Sequence, residues 1–60
     1  MTIKEIRSLT GLIQKDFAEK YNIPLPTLHH WERGDSKCPQ YLLDLLEFKV
    51  KEDLRNENNL

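Results

Sequence analysis

Hydrophobic residues recur at intervals of three and four positions along most of the chain, and this spacing predicts helices rather than strands. The first helix is predicted over about residues 2–9. Thr2 and Glu5 have the spacing of a capping box, in which each side chain bonds to the backbone of the other residue. Gly11 then provides a stop, because glycine adopts the left-handed conformation that ends many helices.

The second helix is predicted over about residues 14–21. Its inward face is formed by Phe17, Ala18 and Tyr21. Asn22 lies where the following turn needs a positive φ, a conformation that asparagine tolerates better than most residues. Ile23 is then expected to pack its side chain into the turn between the second and third helices.

The third helix carries Leu28 and Trp31 on its inner face, and Gly34 marks its end. Leu25 precedes a proline and is therefore biased away from helical angles. Pro26 is predicted to be the first helical residue, because the first position of a helix makes no use of the N–H that proline lacks.

The fourth helix is predicted to open at Pro39 and to run to about Leu54. The polar residues after it are expected to fray. Together the four segments predict an all-α protein, a compact bundle of four to five helices containing a helix-turn-helix. The single domain is expected to span residues 1–54, and residues 55–60 form a polar tail.

Apolar residues of the fourth helix cover about 240° of a helical wheel, whereas packing on one core requires a stripe of only ~100°. Two interpretations are open. The helix is either sunk deeply between its neighbours, or part of its surface meets a second copy of the chain. The second interpretation predicts a homodimer with Leu45 and Phe48 at the interface.

The composition fits one packed domain, with 60 residues of which 38% are hydrophobic. No apolar run approaches the ~18 residues of a membrane span, and the first residues lack the hydrophobic core of a secretion signal. Cys38 is the only cysteine, so an internal disulfide is impossible. These features favour a cytoplasmic protein with no membrane partner.

The charge balance is close to neutral, with nine Lys and Arg against ten Asp and Glu and a formal net charge of −1. The negative balance lies in residues 39–60, because residues 1–38 carry six basic and five acidic side chains. Typical nucleic-acid binders are more basic, since neutralising phosphates supplies much of their affinity. Any DNA binding is therefore expected to be weak per monomer and strongly salt-dependent.

The central residues resemble the helix-turn-helix of the lambda-repressor/Cro-type family, especially its short stand-alone members from phages and bacterial mobile elements. The residues that carry the resemblance are Gln14, Phe17, Ala18, Ile23, Leu28, Trp31, Glu32, Gly34 and Pro39. The match extends over about residues 3–46. The resemblance implies that the third helix lies in the DNA major groove and that the second and fourth helices begin at phosphates.

Site residues follow from the positions that match the family. The base-facing residues that the resemblance implies are Leu25, Pro26, Thr27, His29 and His30. The phosphate contacts that it implies are Gln14, Lys15, Arg33, Lys37, Gln40 and Tyr41. The two histidines are interpreted either as donors to bases or phosphates or as ordinary surface residues.

The resemblance also implies an ion pair between Arg7 and Glu32, which would tie the first helix to the third. Two forms of this pair are open. An exposed pair contributes little to stability, whereas a buried pair locks the two helices together.

Other chemistry has little support in the residues. Adjacent helical residues such as His29 and His30 point about 100° apart, so they do not readily share a metal ion with Cys38. Nothing marks an oxyanion site for a Cys38 nucleophile, and Trp31 is expected in the core. We therefore predict neither an enzyme nor a metal or cofactor site.

Two functions remain open. The first is a cytoplasmic, dimeric and sequence-specific regulator of transcription, a repressor that reads double-stranded DNA at half-sites about 10 bp apart. The second is a protein-interaction module on the same scaffold, such as an antitoxin or adaptor. The near-neutral charge, the apolar fourth helix and the lack of Arg, Gln or Asn in the first turns of the third helix favour the second.

Overall fold

The computed structural model describes residues 1–58, and these residues form four helices and no strand. The helices are α1 (Ile3–Thr10), α2 (Gln14–Lys20), α3 (Leu25–Arg33) and α4 (Gln40–Asn58). The prediction of an all-α bundle is therefore confirmed for this part of the chain. Of the four to five helices predicted, four are present in these residues. None of these helices is both long and apolar enough to cross a bilayer.

The ends of α1 follow the local signals in the sequence. The Thr2 hydroxyl accepts a hydrogen bond from the Glu5 N–H at 3.2 Å, and the Glu5 carboxylate accepts one from the Thr2 N–H at 2.7 Å. The predicted capping box is thus present, with Thr2 just outside the helix. Gly11 closes α1 in the left-handed conformation, with a φ of 71°.

The connection between α2 and α3 is formed by residues 21–24. Asn22 has a φ of 58°, as its position predicts, and it is the one non-glycine residue with positive φ in residues 1–58. The Ile23 N–H donates to the Ala18 carbonyl at 2.8 Å and closes the turn. Before α2, Ile13 supplies its carbonyl to the Phe17 N–H but no side-chain cap.

The beginning of α3 differs from the prediction. The helix begins at Leu25 and Pro26 is its second residue, because the Pro24 carbonyl already accepts the Leu28 N–H at 3.1 Å. A proline at the second position sacrifices no hydrogen bond either, since the first N–H groups of a helix have no partner within it. Gly34 ends α3 with a φ of 85°, as predicted.

The fourth helix is longer than its pattern predicts. It begins at Gln40, and the Pro39 carbonyl caps its first turn by accepting the N–H groups of Leu42 and Leu43 at 3.0 and 3.1 Å. It continues past Leu54, the predicted end, to Asn58, so residues 55–58 are helical, and fraying of the tail stays a prediction. Residues 59–60 of that tail lie outside the described residues.

Two ion pairs lie along the extension of α4. Arg55 pairs with Glu52 one turn earlier, and Lys20 at the end of α2 lies 3.6 Å from a carboxylate oxygen of Glu57. Pairs three or four residues apart stabilise helical ends by a few tenths of a kcal/mol, on the order of 0.2–0.5. No glycine or proline interrupts this segment. Polarity alone was therefore a poor guide to where the helix ends.

The core lies around α1, which contacts each of the other three helices. Its buried members are Ile3, Ile6, Phe17, Ala18, Leu28, Leu46 and Val50. Trp31 and Leu25 pack against this cluster while remaining half-buried. The four helices thus share one hydrophobic centre, and α4 reaches it through one side only.

A polar contact joins the end of α2 to α4. The Tyr21 hydroxyl donates to an Asp53 carboxylate oxygen at 2.9 Å, and Lys49 lies 3.1 Å from the other oxygen. Burial raises the pKa of Tyr21 to about 12, and the hydrogen bond to Asp53 adds to the rise. The hydrogen bond from Tyr21, followed by that from Lys49, lowers the pKa of Asp53.

Candidate nucleic-acid interface

The outer side of α3 is the main surface to which the sequence assigns a function. Leu28 is fully buried beneath it, whereas Pro26, His30 and Arg33 are exposed. Thr27 and His29 are half-buried at its edges. The helix therefore packs along one side and leaves the opposite side open to solvent over its whole length.

Leu25 does not share this outward position. Its side chain is half-buried and packs against the core. Only the exposed part of the side chain is available to DNA bases, and the prediction that Leu25 faces bases stays a prediction. The helix begins one residue earlier than predicted, and this places Leu25 in its first turn beside the core.

An ion pair between Arg7 and Glu32 fixes α3 to α1. Arg7 Nε lies 2.7 Å from Glu32 Oε2 and Arg7 Nη2 lies 3.0 Å from Glu32 Oε1, so the pair is bidentate. Arg7 also donates from Nη1 to the Leu12 carbonyl at 3.0 Å. The side chains are 18% and 5% exposed, so the pair is partly buried and lies closer to the buried alternative than to the exposed one.

Gln14 joins the same carboxylate from α2. Its Nε2 donates to Glu32 Oε1 at 3.1 Å, so one carboxylate receives donors from two other helices. Burial acts to raise the pKa of Glu32, but the hydrogen bonds from Arg7 and then Gln14 outweigh it, and the pKa is lowered. The hydrogen bond to Glu32 raises the pKa of Arg7. Both groups are therefore charged at neutral pH.

Gln14 is the first residue of α2, the position at which the family resemblance predicts a phosphate contact. Its side chain also binds Glu32 within the protein. The sequence motifs did not reveal its role as a tether, because eighteen positions separate Gln14 from Glu32. The signal in the sequence was indirect. A buried carboxylate that meets one arginine still has lone pairs for a further donor.

A second polar cluster lies at the C-terminal end of α3. Asp35 Oδ2 lies 2.8 Å from Arg33 Nη2 and 3.3 Å from His30 Nδ1, and these two nitrogens are themselves 3.2 Å apart. All three side chains are at least half exposed. Two predicted DNA contacts, His30 and Arg33, are therefore brought together, but around a carboxylate that the family motif does not include.

The remaining predicted phosphate contacts are separate from this cluster. Lys15 is exposed on the first turn of α2, and Lys37 is exposed in the loop before α4. Gln40 opens α4, and its Nε2 donates to Asp44 at 3.0 Å. Within residues 1–58 no hydrogen bond joins Lys15, Lys37 or Gln40 to His30 or Arg33.

A shallow apolar groove of about 310 Å³ lies behind the loop that follows α3. Its lining includes Ile3, Trp31, Cys38 and Leu43. Cys38 is half-buried there, and burial raises the pKa of its thiol, which disfavours the reactive thiolate. Among residues 1–58, no group of three or more His, Cys, Asp or Glu side chains is arranged to hold a metal ion.

The residues assigned to a dimer interface lie on the surface of α4. Leu45 is 62% exposed and Phe48 is 71% exposed. Tyr41, which the resemblance assigns to a phosphate, is 69% exposed on the same side of the helix. These three apolar residues form a stripe on the side of α4 that faces away from Leu46 and Val50 in the core.

Comparisons of this chain with protein-family models, with curated proteins and with solved structures found no match.

Proposed function

We propose that this protein is a DNA-binding regulator of transcription, in which α2 and α3 form a helix-turn-helix of the lambda-repressor type and α3 enters the major groove. The observation that carries the proposal is the open outer side of α3 on a rigid support. An α-helix with its side chains is about 10–12 Å in diameter, a size that fits a major groove about 12 Å wide.

The support consists of the contacts made by Glu32. Its carboxylate holds α1 through Arg7 and α2 through Gln14, so the orientation of α3 relative to both helices is fixed from inside. A reading helix must be held in one orientation, because base contacts depend on placing a few side chains within hydrogen-bond distance. This network therefore supplies what a recognition helix requires of its scaffold.

The proposed contacts divide into base-facing and phosphate-facing groups. Pro26, Thr27, His29 and His30 face the base edges, where histidine donates a hydrogen bond and Pro26 or the Thr27 methyl group meets thymine methyls. The phosphate contacts are Gln14, Lys15, Arg33, Lys37 and Gln40. Positive partial charge at the beginning of the nineteen-residue α4 favours a phosphate beside Gln40.

Few positive charges serve this surface, so binding by one copy is weak. Arg33, Lys37 and Lys15 contribute three cations, and Asp35 offsets part of that charge. Neutralising three phosphates gives a slope of log affinity against log salt of about −2.7. A dimeric repressor on two half-sites about 10 bp apart gains from binding both at once.

The proposal is tested by measuring binding to a mixed-sequence duplex at about 50 mM and about 200 mM salt. We expect an Arg33→Gln/Lys37→Gln variant to lose affinity and to flatten the salt slope by about 1.8, since two phosphate contacts are removed. The matched control is Lys20→Gln/Lys49→Gln, which removes the same charge from exposed positions elsewhere. Equal losses in both variants would show that net charge, not this surface, governs binding.

The second candidate function is a protein-interaction module with weak DNA binding or none. It is favoured by the contact between Arg33 and Asp35, since a carboxylate of the same chain already binds one of the three cations of the surface. In that case the duplex fails to bind at every salt concentration, while a specific protein copurifies with the chain. Duplex binding that depends on Arg33 and Lys37 excludes this alternative as the main function.

A further inference from the structure

The α4 stripe, formed by Tyr41, Leu45 and Phe48, has no partner within the described chain. The three side chains are 69%, 62% and 71% exposed. Their spacing of four and three residues places them on one side of the helix, away from α1. Grouped exposed aromatic and aliphatic side chains of this kind mark interaction surfaces more often than scattered ones do.

We infer that the α4 stripe binds the α4 stripe of a second copy of this chain, with the two helices antiparallel. This inference deepens the proposed function by naming the partner of the regulator. Only the biological role of the dimer rests on the proposed function. The contact itself follows from α4 and is tested without DNA.

Charges along α4 decide the direction of the two helices. The stripe continues to Glu52 and Arg55, which are four and seven residues beyond Phe48. In a parallel pair each residue meets its own counterpart, so Glu52 would face Glu52 and Arg55 would face Arg55. Like charges placed opposite each other across an interface are strongly unfavourable.

The antiparallel arrangement removes both conflicts. When Leu45 of one copy faces Phe48 of the other, Tyr41 of one copy faces Glu52 of the other. In an antiparallel pair, two positions face each other when they lie equally far from the centre of the contact, and both pairs have their midpoint between residues 46 and 47. The Tyr41 hydroxyl can then donate to the Glu52 carboxylate, and this occurs twice in the symmetric dimer. Tyr41 is thereby assigned to the dimer rather than to a phosphate.

A flanking pair of charges agrees with the same register. Asp44 and Lys51 lie on one edge of the stripe, seven residues apart and of opposite sign. In an antiparallel pair the same edge of each helix meets, so each Asp44 lies near Lys51 of the other copy, offset by about 3 Å along the helices. Both side chains are exposed in the single chain, where Lys51 pairs with Glu47 and Asp44 accepts from Gln40.

The size of the stripe indicates a weak dimer. Exposed fractions of about two thirds on two aromatic side chains and a leucine leave roughly 350 Å² per copy to be buried. A standard interface buries about 800 Å² per partner, so the stripe alone supplies less than half. We therefore expect reversible self-association in the micromolar range, strengthened when two copies occupy adjacent half-sites.

Sedimentation of the full chain between about 10 and 500 μM tests self-association, since this range brackets the expected affinity. We expect Phe48→Glu to remain monomeric and helical, because Phe48 contributes little to the core. Ile13→Glu is the matched control, since Ile13 is 63% exposed but lies away from α4. A monomeric wild type, or a dimer that Phe48→Glu leaves intact, overturns the inference.

Cysteine cross-linking in a Cys38→Ser background tests the direction. Tyr41→Cys mixed with a mass-tagged Glu52→Cys should give a disulfide-linked heterodimer, while each variant alone cross-links poorly. In an antiparallel pair of Glu52→Cys chains the two introduced thiols lie about 16 Å apart along the helices, too far for a disulfide. Efficient self-linking of Glu52→Cys would establish a parallel pair and refute the register.

The two proposals fail separately. A chain that never dimerises but binds duplex through Arg33 and Lys37 retains the regulator and loses the α4 contact. A chain that dimerises through α4 without binding any duplex loses the regulator and retains the contact.

Discussion

Asp35 is the residue through which the proposed DNA surface can be tested most directly. Its carboxylate lies 2.8 Å from Arg33 and 3.3 Å from His30, so under the proposed function it competes with a phosphate for both side chains. Asp35→Asn keeps the size of the side chain and removes its charge. If α3 binds DNA, this change should strengthen binding, because the phosphate no longer competes with a resident carboxylate.

The expected gain in affinity follows from how exposed the ion pair between Arg33 and Asp35 is. Arg33 is 63% and Asp35 is 53% exposed, and an ion pair this exposed contributes about 0.2–1 kcal/mol that binding must offset. The Asp35 charge also repels a phosphate about 7 Å away by roughly 0.6 kcal/mol in water, which physiological salt reduces by about half. Together these effects predict a gain in affinity of about two- to ninefold.

Fluorescence anisotropy with a labelled mixed duplex at about 100 mM salt can resolve a change of this size. The matched control is Glu19→Gln, which removes one negative charge from an exposed position of α2 that lies outside the cluster. We expect Asp35→Asn to bind more tightly than both the wild type and Glu19→Gln. An Asp35→Asn affinity equal to that of Glu19→Gln would falsify the competition between Asp35 and phosphate.

Three further predictions concern the scaffold. Arg7→Ala removes the bidentate partner of Glu32, whose side chain is 5% exposed in the wild type, so urea denaturation should show a loss of about 3 kcal/mol; a loss below about 1 kcal/mol contradicts a locking role. The pKa of Glu32 is lower in the folded protein than in the unfolded chain, where it is about 4.3. The Glu32 carboxylate therefore stabilises the fold above about pH 4.3, and this stabilisation is lost as the pH falls through the pKa of the folded state. Acid titration of unfolding should therefore show a steeper fall below that value in the wild type than in Glu32→Gln, and parallel curves would refute this. Tyr21→Phe removes the hydrogen bond to Asp53 and should lower Tm by about 4 °C, measured by circular dichroism at neutral pH; an unchanged Tm would mean that the contact does not stabilise the fold.

Local signals in the sequence predict the helix boundaries best. The capping box at Thr2, the left-handed glycines at the ends of α1 and α3, and the positive φ of Asn22 all depend on one residue and its immediate neighbours. Conformational preferences of this kind operate within one turn of the chain. They are therefore visible before any tertiary contact is known.

Features that depend on distant residues were predicted less well. The extension of α4 to Asn58 involves Lys20 of α2, and the hydrogen bond from Gln14 to Glu32 crosses eighteen positions. Asp35 was missed for another reason. It follows the glycine that ends α3, and only the reversal of the chain there brings its carboxylate back to His30 and Arg33.

Three consecutive residues of α3 have three different roles. Trp31 packs on the core, Glu32 anchors α1 and α2, and Arg33 points to solvent. Because anchoring is confined to the inner side, the exposed positions can change without altering how α3 is held. The scaffold is therefore suited to retargeting, in which new side chains at positions 26, 30 and 33 change the proposed contacts on an unchanged fold.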